Sequence, residues 1–176
     1  MQQYPGYVDQ PGLQAALGSA GVACWWEAGG FYVSDLAKAQ AVVAAYDPLP
    51  AVRAQTEAQV QATLAGKLAA GFTYSGVLID CSQTQTDDIT SVATIASNIL
   101  SGKLNETWTA IEWPAMNGGA GLPIASAQDM VTFGAAIGHY VSGLKFYALG
   151  LISQIRGATT VAAVQAINVT TGWPTS

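Results

Sequence analysis

Charge is what this chain has least of. Of its 176 residues only 10% are Asp, Glu, Lys or Arg, against about a quarter in ordinary soluble domains. So few charges coat a free monomer poorly, and much of the surface is expected to lie against partners or against copies of the chain. The six bases, Lys38, Arg53, Lys67, Lys103, Lys145 and Arg156, are scattered and outnumbered by 11 acids. No basic stripe exists to neutralise a run of phosphates, which argues against nucleic-acid binding. Long apolar runs are missing too. The nearest candidate, Met130 to Ile155, is interrupted by His139, Lys145 and Gln154, so no membrane insertion is expected. The start, MQQYPGYVDQPG, has no positive residue leading into an apolar run, and no signal peptide is expected.

Cysteine and histidine are equally scarce. Cys24 and Cys81, without an export signal, read as reduced and buried thiols. They are too few and too far apart to suggest zinc. His139 is the one histidine and lies inside a helix-patterned stretch. A pairing with Asp80 or Cys81 would need a nucleophile motif, and none surrounds any Ser or Cys here. Asp80, Asp87 and Asp88 offer hard oxygens for Ca²⁺, but they lack the order of an EF-hand loop, and capping already explains the last two. Glu112 and Asp129 would make a glycosidase pair only if they met. The chain therefore reads as non-enzymatic, with no catalytic residue, no metal site and no cofactor.

What is present is apolar: 51% of the residues. Residues 1–20 carry Pro5, Gly6, Pro11, Gly12 and Gly18 and read as an N-terminal arm with one or two helical turns at Leu13 to Leu17. Residues 21–70 read as a hairpin-helix module with a connecting helix. VACWWE and FYV form the hairpin, turning at Ala28-Gly29-Gly30. Ser34-Asp35 caps a helix that stops before Asp47-Pro48, and Pro50 opens the connecting helix. Residues 71–176 read as a C-terminal domain. A second hairpin, Phe72 to Ile79, turns at Ser75-Gly76, and Thr86-Asp87-Asp88 caps the next helix. An extended Trp108 to Trp113, a turn at Asn117-Gly118-Gly119 and a returning Leu122 to Ala125 follow. Ser126 then caps the last long helix. The fold class is thus α+β and mainly helical: two small β-hairpin/helix modules joined by a long helix, with a heptad-patterned C-terminal helix.

In that last helix Met130, Gly134, Ile137, Val141, Leu144, Ala148, Leu151 and Ile155 recur at spacings of four and three, the pattern of helix-on-helix packing. Met130, Ile137, Val141, Leu144, Leu151 and Ile155 are the expected oligomer interface. The aromatics of the first hairpin, Trp25, Trp26 and Tyr32, are the expected docking surface for a partner, since adjacent strand residues face opposite ways and aromatics anchor interfaces.

The order of pieces from Gly71 to Pro174 resembles a domain of unknown function found C-terminally in tailed-bacteriophage tail-fibre and fibre-assembly proteins. The resemblance lies in GFTYSG, in Ile79-Asp80, in Ile89 leading the next helix, in Leu122-Pro123-Ile124, in Thr159-Thr160-Val161 and in Gly172-Trp173-Pro174. Phe31 to Gln55 is similar to a short module seen upstream in other phage proteins. The resemblance implies a virion structural protein of the tail, docked on larger tail or fibre proteins and homo-oligomeric, with a trimer favoured because fibres are threefold. It carries no functional residues across. A fibre-assembly chaperone absent from the mature particle, and a receptor-binding module using exposed aromatics, are the alternatives.

Overall fold

A computed structural model describes residues 10–27 and 30–175; the side chains of residues 26, 27 and 31 lie outside that description, as does the turn read at Ala28-Gly29. The described chain runs α1 (Gln10–Ser19), β1 (Cys24–Glu27), β2 (Gly30–Val33), α2 (Leu36–Ala45), α3 (Leu49–Ala69), β3 (Phe72–Tyr74) and β4 (Val77–Ile79). It continues with α4 (Gln83–Leu100), β5 (Ile111–Trp113), β6 (Leu122–Ile124), α5 (Ala127–Gly157) and α6 (Val161–Gln165). The strands pair only within three antiparallel hairpins. The fold is α+β and mainly helical, as the patterning predicts.

The chain divides into two units. One comprises Met1–Ala58 with Ser153–Asn168, and the other Gln59–Ile152 with Val169–Ser176. The sequence boundaries at 20 and 70 differ from these. Turns and breakers suggest linkers, but α3 and α5 each run unbroken through a unit boundary. Which faces are buried, and not where the chain bends, defines the units.

In the first unit the expected arm is corrected over its described part: residues 10–19 form a helix whose Leu13 and Leu17 are buried with Val22 and Ala39. The breakers sit where a helix tolerates them. Pro11 lies in the first turn, where its missing N–H costs little. Gly21, at φ +73°, takes the left-handed position of a Schellman cap: its N–H donates to Gly18 O (3.0 Å) and the Val22 N–H to Leu17 O (2.9 Å). Asp35 caps α2 by accepting from the Lys38 N–H at 3.0 Å. Asp47 Oδ1 accepts from the Leu49 N–H at 2.9 Å, opening α3. Within the same unit Arg156 donates through Nε (3.0 Å) and through its terminal nitrogen (2.7 Å) to the two carboxylate oxygens of Glu57. That fork holds the Glu57 carboxyl below the usual carboxylate range. Arg53 donates to the Ala158 carbonyl just past the end of α5, a position that suits a cation.

The second unit is built on the inner face of α5. Met130, Phe133, Ile137 and Leu144 are buried there, and two hairpins lay aromatic rings on them. Phe72 stacks on Tyr140 at 4.8 Å, while Tyr74 and Trp113 meet Phe133 at 5.3 and 5.9 Å, separations that suit aromatic pairs. The β3–β4 turn is made by Ser75 and Gly76, both at positive φ (50° and 81°), as a primed hairpin turn requires. The two hairpins are tied by the Met116 N–H donating to Leu78 O at 2.8 Å. Helix α4 approaches α5 at Gly134, where a Cβ would stand 2.6 Å from the Ala93 methyl. The cap of α4 falls one turn earlier than the acids suggest: Ser82 is the N-cap, and Asp87 instead accepts from the Gln83 side-chain amide at 2.8 Å. At the C-terminus Trp173 packs edge-on to Tyr147 at 5.1 Å. Its indole donates to Val169 O and the Tyr147 hydroxyl donates to Thr171 O.

Candidate functional site

The six residues expected to join copies of the chain are already covered by it. Met130, Ile137, Val141, Leu144, Leu151 and Ile155 are all buried. This corrects the expected interface. A heptad records that a helix packs on something, and here the partners of α5 include the protein's own hairpins and α4.

The uncovered side of α5 carries the more informative surface. Phe146 is 72% exposed and Leu149 59%, the two most exposed large apolar side chains among the described residues. They continue a stripe that begins at Ala135, Gly138 and Ser142, all exposed. The spacing, three-four-four-three, keeps these five positions on one side of the helix. None bears a charge; His139 and Lys145, both exposed, flank them. A Cβ at Gly138 would meet nothing, so the chain's own packing does not require a glycine there. Sequence reading passed over this stripe because the stronger apolar heptad on the opposite side dominates the pattern. The signal that finds it is a run of exposed helical positions without Asp, Glu, Lys or Arg.

The expected docking hairpin is partly described. Trp25 is 45% exposed and stacks across the strands on Tyr32, with ring centroids 6.1 Å apart and planes 17° apart. Trp26 pairs with Phe31 by backbone register; its side chain lies outside the described residues.

An open cleft of about 270 Å³ lies in the second unit, lined by Ala65, Leu68, Asp80, Cys81, Val141 and Lys145 among others. Its chemistry is quiet. Burial, and then the Asp80 carboxylate, push the Cys81 thiol up to about 11, the reverse of what a nucleophile needs. Asp80 is held by the Ser82 N–H (2.7 Å) and hydroxyl (3.0 Å). The other carboxylates weighed for catalysis are also engaged locally. Glu112 accepts from the Gly121 N–H at 2.8 Å. Asp129 and Ser126 form a reciprocal capping box, with the Ser126 N–H donating at 2.9 Å and the Asp129 N–H returning at 3.1 Å. Among the described residues no three His, Cys, Asp or Glu side chains converge on a metal-sized point, and no helix is long and apolar enough to cross a membrane.

Comparison with protein-family models, with curated proteins and with solved structures returns no match.

Proposed function

We infer that this chain is a non-enzymatic bacteriophage virion protein, a tail or tail-fibre component that binds larger tail proteins and copies of itself. The observation that carries an interaction role is the uncharged outer stripe of α5, where Phe146 and Leu149 stand exposed in a protein with little charge to keep such surface solvated. The stacked Trp25–Tyr32 pair offers a second apolar anchor. The assignment to a phage tail rests on the order of pieces between Gly71 and Pro174, not on a matched relative.

Peptide mass spectrometry of gradient-purified virions, quantified against the major capsid protein, tests the reading. Stoichiometric presence supports a structural subunit and gives its copy number. Absence from particles with abundance in infected lysate replaces it with an assembly chaperone.

A further inference from the structure

We propose that the outer stripe of α5 is a twofold contact in which two copies of this chain cross antiparallel at Ser142. The positions are symmetric about that residue. Gly138 and Phe146 each lie four residues from Ser142, and Ala135 and Leu149 each lie seven. Small residues occupy one arm and large ones the other. A second copy with its helix reversed therefore sets each Phe146 over the Gly138 of the other and each Leu149 over its Ala135, while the two Ser142 residues meet where the helices approach most closely. The row Gly138, Ser142, Phe146 is an i, i+4 ridge, the kind that interdigitates in the commonest helix crossing.

Two observations favour a second copy over an unrelated partner. The hollow at Gly138 has no neighbour in the chain itself, and the knob that fits it stands two turns away on the same face. The same symmetry brings His139 opposite Lys145, so packing and not ion pairing would hold the contact. The stripe is about 21 Å long on a helix about 10 Å wide, a footprint well below the roughly 800 Å² per partner of a stable dimer. The pairing is accordingly reversible.

The contact is read from the surface alone and stands apart from the tail assignment. Its test is sedimentation equilibrium of the full chain over a wide concentration range, with Phe146→Ser and Gly138→Leu beside the parent. Both positions are exposed, so both variants keep the fold, which circular dichroism checks. The expected result is a monomer–dimer equilibrium, with each variant raising the dissociation constant about tenfold or more. Oxidative crosslinking fixes the geometry. In a Cys24→Ser background, Ser142→Cys should give a covalent dimer. Ala135→Cys should do so only when mixed with Leu149→Cys. A chain monomeric throughout, a trimer, or a dimer indifferent to both substitutions overturns the proposal. So does crosslinking of Ala135→Cys to itself. A virion-bound chain that is monomeric alone would overturn this contact and leave the tail reading intact.

Discussion

Leu144 shows how one residue's burial changes what a substitution means. Its side chain is fully covered, so its loss acts on folding and not on assembly. Leu144→Ala should lower stability by about 2–5 kcal/mol, read from urea unfolding followed by tryptophan fluorescence. Leu144→Glu should leave the second unit unfolded, because a buried carboxylate has no partner there; a folded variant of unchanged mass would refute this placement. Cys81 makes a pH-dependent case. Its folded pKa is raised to about 11 from an ordinary value near 9, so the thiol form is favoured by folding. The contribution is whole below pH 9 and is lost as pH rises through the interval to 11, because the unfolded state then binds fewer protons. Stability should fall across that window in the parent and less steeply in Cys81→Ala. Thiol reagents at neutral pH should modify Cys81 only after unfolding.

At the scale of elements, the closeness of α4 to α5 depends on one missing methyl. Gly134→Val places carbon against the Ala93 side chain and should cost about 1–3 kcal/mol through overpacking. Gly66 is also mid-helix, in α3, but a Cβ there meets nothing. Gly66→Ala should stabilise the chain by about 0.5–1 kcal/mol through helix propensity alone. The two substitutions differ in sign although both replace a helical glycine, and chemical denaturation of the pair checks it. If both stabilise, the helices are not held at Gly134. The hairpins, by contrast, were legible. Ser75-Gly76 and Asn117-Gly118-Gly119 announce turns by chemistry that acts within a few residues, and both lie between paired strands.

For the molecule as a whole, the N-terminal segment changes status. Read as an arm, residues 1–20 could be deleted with loss of docking alone. With Leu13 and Leu17 in the core of the first unit, their deletion should strip α2 of its hydrogen-exchange protection, since Ala39, Val42 and Val43 lose their cover. Unchanged protection in α2 would restore the arm. The stripe on α5 belongs to the same scale. Whether an apolar helical position faces core or solvent depends on every element packed on that helix.

The sequence by itself determined the element order, the α+β class, the caps at Asp35 and Ser126 and the hairpin turns. Each depends on propensities and hydrogen bonds that close within about four residues. It also showed that α5 buries an apolar heptad. Only the tertiary structure decided what that heptad meets, because periodicity reports that a face is covered and not by which chain. It likewise decided that α1 belongs to a core, that the units divide inside unbroken helices, and that Phe146 and Leu149 are left outside. These follow from long-range packing, where exposure is set by neighbours distant in sequence.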